Sequence, residues 1–385
     1  MKIVHVVTQY YPSIGGLEYA VQRLAEEQVK LGHEVYVVTS TYSARNRSKK
    51  EIINGVNVHR INAIKLRYSD LMIPCEYPLN VFLSADIVHL HAHNSLFNML
   101  IALRTKRLEK PIITDFLGVM YLRFHSNLLI KTFGSFYQKN TLKIAQKVSK
   151  YAIVTNVLDM KLVQMKYDLP CALIPYGIDE VYFEAPKNPL LFRERYKISE
   201  DNIITYIGRI HYTKGVEILI KALSYLKKKV KFNAVLAGPF EKHYLRRLIN
   251  LSITLGLTGR IKFLGSVTGL NKISLLDASK IVVIPSIHYE NYCFVIDEAY
   301  AREVPIIAST VPIINHRVSH LKTGILVKPN NPYGLANAIY NLLSDSVLYN
   351  KICRNIRSIR QKNLRSWTEY ASNILKIYEK ILGMA

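Results

Sequence analysis

The sequence predicts an α/β protein built as two Rossmann-like domains, each a parallel sheet covered by helices. Short β-branched runs alternate with helix-length amphipathic stretches along the whole chain, the pattern of successive βαβ units. Nearly all of these runs are continuously apolar, as strands buried on both faces require. The length, 385 residues with 49% hydrophobic and 21% charged, suffices for two cores at roughly 100–200 residues per domain.

In order, the first half predicts strands at Ile3–Thr8, Val35–Thr39, Ile87–His91, Ile112–Asp115, Ala152–Thr155 and Ala172–Pro175. Asn54-Gly55, between two β-branched runs, predicts a small hairpin, because both residues tolerate the positive φ of a tight turn. The second half predicts strands at Ile203–Gly208, Asn233–Gly238, Ile261–Gly265, Ile281–Pro285, Pro305–Ser309 and Ile325–Lys328. Between Asp179 and Asp201 the chain carries two prolines and many charges, which marks a domain boundary. The expected organisation is an N-terminal domain over 1–183, a C-terminal domain over 198–360, and a helical segment over 361–385 packing back towards the first domain.

Composition narrows the classes. With 52 Lys+Arg against 28 Asp+Glu the formal net charge is +24, so an anionic partner is expected. The four cysteines, Cys75, Cys171, Cys293 and Cys353, lie far apart with no CxxC pair; this argues against a disulfide scaffold or structural zinc and fits a reducing compartment. No apolar run approaches the ~18 residues of a membrane-spanning helix, and the N-terminal run reads as a first strand instead of a signal segment. RNP, KH and zinc signatures are absent from the sequence, so nucleic acid is not the expected partner.

Ligands of such sheets bind beyond the carboxyl ends of the strands, which selects three turns. After the first strand, Gly15-Gly16 precedes a helix; paired glycines let backbone N–H groups approach an anion at a helix N-terminus, and a tight turn alone accounts for them equally well. After Ile203–Gly208 comes Gly208-Arg209, with Lys214 five residues later. A planar guanidinium and a mobile ammonium at one strand end suit a diphosphate, the plainer reading being a solvated basic loop. After Ile281–Pro285 comes Glu290, and Glu298 lies in the apolar stretch FVIDEAYA. Carboxylates accept hydrogen bonds from sugar hydroxyls, so a basic pair and an acidic pair suit a ligand with a phosphate end and a polyol end; complementing a helix dipole is the simpler role for Glu298.

These residues, in this order, resemble the retaining glycosyltransferases of family 4, the glycosyl transferases group 1, with a GT-B fold. The resemblance runs through YYPSIGGLEYAVQRLAEEQVKLGHEVYVVTS, DIVHLHAHN, IPYGID, YIGRIHYTKGVEILIKAL, LAGP, IKFLGSV, the E-x7-E of Glu290 and Glu298, VPIIAS and KTGILVKPNNP. It implies two domains facing across a cleft, a nucleoside diphosphate sugar as donor, and retention of anomeric configuration. Arg209 and Lys214 would then hold the donor diphosphate and stabilise the leaving group. Glu298 would take the nucleotide ribose, Glu290 the transferred sugar, Gly16 the phosphates or acceptor, and Gly208 and Phe294 would complete the donor site. Fixed cations aimed at the leaving phosphate do this work electrostatically, and no DxD-like acidic pair appears, so no metal ion and no cofactor are expected.

The chain departs from the family at several positions. An acceptor-side His is customary where Phe116 stands; Asp115, His91, His93 and His125 are the candidate replacements, Asp115 nearest in sequence and taken as the catalytic contact. Cys293 and Glu303 stand where glycines are customary, Thr310-Val311 where a Gly-Gly is, and His316 near a customary Glu. These changes imply an unusual donor, or a weakly active or silent homologue that binds nucleotide sugar or a partner protein. His89, His91 and His93 alternate along one strand, but no acidic or Cys partner accompanies them locally, so a metal site is not the expected reading. From Tyr121 to Lys150 there are six basic residues (Arg123, Lys131, Lys139, Lys143, Lys147, Lys150), no acidic ones, and interleaved aromatic and aliphatic residues. That pattern predicts an interfacial helix on an anionic membrane surface, the alternative being an ordinary helix with its apolar stripe inward. The expectation is a cytoplasmic enzyme, peripheral on the membrane, acting on a lipid-linked or membrane-surface acceptor.

Overall fold

The computed structural model describes residues 1–384 except 14, 43, 45, 67–70, 120 and 125–126. The chain divides into two compact units, Met1–Gly177 with Arg365–Ala385, and Ile178–Leu364. The last helix thus belongs with the first unit, and the chain passes between units after Gly177 and again before Arg365.

In the first unit the strands are β1 (Lys2–Val6), β2 (Glu34–Ser40), β3 (Lys50–Ile53), β4 (Val56–Ile61), β5 (Ala63–Lys65), β6 (Met72–Pro74), β7 (Ile87–Leu90), β8 (Ile112–Asp115), β9 (Tyr151–Val154) and β10 (Cys171–Leu173). Eight of them form one sheet in the order β10-β9-β8-β7-β1-β2-β4-β3, and β5-β6 forms a separate ribbon. All neighbours in the large sheet are parallel except β3 and β4. The β3–β4 hairpin turns at Asn54 and Gly55, with φ of 48° and 83°, the two positive values such a turn requires.

In the second unit β11 (Ile203–Ile207), β12 (Asn233–Ala237), β13 (Ile261–Leu264), β14 (Ile281–Ile284), β15 (Ile306–Ser309) and β16 (Gly324–Val327) form a six-stranded sheet in the order β13-β12-β11-β14-β15-β16, parallel throughout. The order reverses direction between β11 and β14. In the first unit it reverses between β1 and β7. At such a point the crossover helices leave to opposite faces and open a crevice at the carboxyl ends of the two strands. The sequences Gly208–Lys214 and Pro285–Glu290 follow β11 and β14 directly, so the topology brings them side by side.

The helix Trp367–Leu382 opens with a reciprocal cap between Ser366 and Glu369 and packs on the helix Gly16–Lys30, where Thr368 donates to Glu27 at 2.8 Å. Trp367, the one tryptophan of the chain, is buried against Tyr19, Tyr176 and Tyr370. Among the described residues no helix is long and apolar enough to cross a membrane.

Candidate functional site

The second unit assembles the predicted donor residues. Gly208 follows β11 with a φ of 154°, and the Tyr206 hydroxyl donates to the carbonyl of Arg209 at 2.6 Å, fixing the turn from which Arg209 projects. Arg209 is exposed, and among the described residues its guanidinium has no carboxylate partner. Lys214 closes a short 3-10 turn, Tyr212–Lys214, and Gly215 follows with a φ of 67°. A β-carbon on Gly215 would sit 1.9 Å from the carbonyl oxygen of Pro285, so only glycine lets the Lys214 turn close on the end of β14.

That approach carries Lys214 to Glu290: its ammonium lies 2.7 and 2.6 Å from the two carboxylate oxygens. Ser286 donates to the same carboxylate. Glu298, in the first turn of the helix Val295–Ala301, pairs with Lys272 at 2.6 Å through one oxygen, which also accepts from Tyr182 at 3.4 Å. Its other oxygen is buried without a hydrogen-bond partner among the described residues. A buried, unpaired carboxylate oxygen costs stability unless a ligand satisfies it, and a hydroxyl is the natural donor. Phe294 is half-buried at the start of that helix, its ring 4.9 Å from Tyr292.

At the two customary glycine positions Cys293 and Glu303 stand in the left-handed region, with φ of 67° and 61°. Burial, reinforced by the Glu290 carboxylate, pushes the Cys293 thiol up to about 12.

In the first unit the structure corrects the role expected for Asp115. It is buried, with one oxygen accepting from His89 Nε2 at 2.8 Å and the other from His91 Nδ1 at 2.7 Å. Burial opposes its charge, but the field and hydrogen bonds of His89 and His91 more than offset this and hold the carboxyl below its ordinary range. Asp115 is therefore spent inside a buried network, both of its oxygens occupied, and presents neither to an acceptor. His91 Nε2 contacts His5 Nδ1 at 2.8 Å, the Gln28 amide lies 2.7 Å from His5 Nε2, and the Tyr378 hydroxyl lies 2.7 Å from His89 Nδ1. Among the described residues the cluster able to surround a cation is His5, His89 and His91, with ligand atoms within 4.8 Å of one another, and His93 is not part of it. Every one of those six ring nitrogens already has a hydrogen-bond partner. Sequence spacing along β7 missed His5, Gln28 and Tyr378, which arrive from β1 and two helices.

His93 stands apart. It is buried and stacked on Phe116, ring centroids 5.2 Å apart and planes 8° from parallel. The backbone N–H of Leu117 donates to its Nδ1 at 3.3 Å, so in the neutral ring the proton sits on Nε2, which has no partner among the described residues. Burial pushes its pKa down to about 3. His125 lies outside the described residues. Gly16 is the first residue of the helix Gly16–Lys30, whose N-cap Gly15 supplies no side chain; a β-carbon on Gly15 would meet the Glu18 carboxylate at 2.1 Å.

The basic segment becomes the helix Leu128–Val148. Its second half packs inward through Gln138, Thr141, Leu142, Ala145 and Val148. Its first half exposes Leu128, Leu129, Phe133 and Phe136 at 67–72%, so the inward-packed reading describes the second half, and the first half presents an apolar face to solvent.

Two parallel-sheet units, the second with cations and carboxylates gathered at its strand-order reversal, define a glycosyltransferase of GT-B fold. The family described as Glycosyltransferase Family 4 matches residues 14–181, and Glycosyl transferases group 1 matches residues 190–359. The chain belongs to glycosyltransferase family 4. An uncharacterized glycosyltransferase of Methanocaldococcus jannaschii is 28% identical over 402 residues, 100% of this chain and 99% of its own. The phosphatidyl-myo-inositol mannosyltransferase of Mycolicibacterium smegmatis is 22% identical over 389 residues, covering 100% of this chain and 95% of its own. Among solved structures, Anabaena HepE in complex with UDP-glucose superposes with a TM-score of 0.78 at 18% identity over 99% of this chain and 100% of its own, a likeness of fold.

Proposed function

We propose that the protein transfers a sugar, with retention of configuration, from a nucleoside diphosphate sugar to a lipid-linked or other membrane-surface acceptor. The observation that carries the donor half is the Lys214–Glu290 pair that joins the turns after β11 and β14, with Arg209 on the first of these turns and Glu298, one oxygen unpaired among the described residues, on the helix after the second. Arg209 is free to take a phosphate bidentately. Lys214 shares its charge between Glu290 and the departing phosphate, whose negative charge grows as the sugar–phosphate bond breaks. Glu290, already fixed by Lys214 and Ser286, accepts from hydroxyls of the transferred sugar, and Glu298 accepts from the ribose. These groups supply the charge stabilisation from protein side chains, and the reading calls for no cofactor. On the acceptor side, His93, through its Nε2–H as donor, replaces Asp115 as the expected contact. The Mycolicibacterium relative's name places its acceptor in a phospholipid, and the exposed Leu128, Leu129, Phe133 and Phe136 beside Lys131 suit the same kind of surface.

A thermal-shift screen over nucleoside diphosphates and their sugars tests the donor half, because a ligand of the folded state raises its melting temperature. Wild-type protein shifts; Arg209→Ala and Lys214→Ala each abolish the shift. With the donor so identified, incubation of radiolabelled nucleotide sugar with membranes yields a labelled lipid extract. An unchanged shift in both variants refutes the phosphate assignment, and transfer to water alone refutes the acceptor.

A further inference from the structure

The loop that carries Glu290 is held by a side chain with no part in the chemistry above. Arg317, the last residue of the helix Pro312–Arg317, donates to the carbonyl of Tyr292, to the carbonyl of Cys293 at 3.2 Å, and to the carboxylate of Asp297. Its guanidinium also lies 3.9 Å from the centroid of the Tyr292 ring. Asp297 is buried and Arg317 half-buried, with 8% and 14% of their side chains exposed.

The two carbonyls have a particular meaning. The peptide between Tyr292 and Cys293 sets the φ of Cys293, and the peptide between Cys293 and Phe294 takes part in its ψ. Cys293 has a φ of 67°, a conformation in which a β-carbon crowds the backbone and which a side-chain-bearing residue leaves unless its surroundings hold it. Arg317 bonds both peptides that flank the strained residue, and Asp297 anchors the guanidinium to the helix that carries Glu298. One planar fork thereby fixes the path from Glu290 to Glu298.

We propose that Arg317 is a positioning residue of the donor site, holding the loop 290–294 in the left-handed turn that sets the spacing of Glu290 and Glu298. The proposal rests on the donor reading given above. A glycine at position 293 needs no such restraint, so the roles of Arg317 and Cys293 are coupled: removing the fork matters because a β-carbon is there.

The test uses the full chain, with UDP, GDP, ADP and CDP titrated calorimetrically and the tightest taken as probe. Arg317→Lys keeps a charge for Asp297 but cannot bond the carboxylate and both carbonyls together. It is expected to weaken the probe about tenfold, and Cys293→Gly added to it to recover affinity to within about threefold of wild type. Hydrogen exchange of the segment 290–297 without nucleotide is expected to quicken in Arg317→Lys and to slow again in the double variant. A merely stabilising arginine gives no such rescue, because glycine only adds freedom to the unfolded chain. Wild-type affinity in Arg317→Lys, or a double variant no better than the single one, overturns the proposal. If wild-type protein binds none of the four nucleotides, the donor reading itself fails and the proposal falls with it.

Discussion

Acid should loosen the first unit, and His93 should account for a measurable share. Burial lowers the pKa of His93 to about 3, that of His91 to about 4, and that of His5 well below its ordinary value, His91 and His89 adding to the effect on His5. In the unfolded chain all three return to about 6.5. A group whose folded pKa is depressed binds its proton more readily when unfolded, so stability rises with pH across this window and is lost as pH falls below 6.5 towards 4. From pH 7 to pH 5 the isolated imidazole of His93 costs about 2 kcal/mol, and His91 and His5 add to the loss in the same direction. Asp115 acts in the same direction at lower pH: its stabilisation is present above its unfolded value and lost below it. Urea unfolding followed by the fluorescence of Trp367, which is buried in the first unit, reads that unit alone. His93→Phe removes one proton from the balance and fills the space against Phe116. Its own loss between pH 7 and pH 5 should be smaller than the wild-type loss by about 2 kcal/mol, whatever its stability at pH 7. A wild-type stability flat between pH 7 and pH 5, or an identical loss in His93→Phe, refutes the assignment of a buried neutral imidazole.

A β-carbon at Gly177 would lie 2.6 Å from the carbonyl oxygen of Ser366, backbone against backbone, so Gly177→Ala should lower the stability of the first unit by about 1–3 kcal/mol, read by the same fluorescence. Phe133→Ser with Phe136→Ser removes two exposed rings without touching the packed half of their helix. The melting temperature should stay within about 2 °C while co-flotation with vesicles containing anionic lipid falls; retained flotation argues against that face as the membrane contact.

The parallel sheets were legible because strands buried on both faces must be apolar throughout, and short turns must hold Gly, Asn or Pro. The β5–β6 ribbon was not, since three-residue strands carry too few side chains for a pattern. Gly208, Arg209, Lys214, Glu290 and Glu298 were legible for a related reason: polar residues directly after an apolar run stand at strand ends, where the fold puts ligands. The pairing of each acid with its own lysine was not, because Lys272 comes from a helix with no motif. Glu298 stood out as an acid in an apolar turn, whereas the Asp297–Arg317 pair beside it had no local signal.

Asp115 shows where sequence reasoning stops. Proximity to Phe116 in sequence suggested a catalytic carboxylate, but alternation along β8 and the arrival of His89 and His91 from β7 bury it with both oxygens occupied. The chain's order of apolar runs, turns and charges determines two sheets and the strand ends that carry chemistry, because those depend on local periodicity. Which polar groups are spent on each other, as in His5–His91–Asp115–His89, and which stay open among the described residues, as with His93 Nε2 and one oxygen of Glu298, was decided only by tertiary structure. Hydrogen-bond partners there come from residues up to 289 positions apart, and burial sets whether an open atom waits for water or for a ligand.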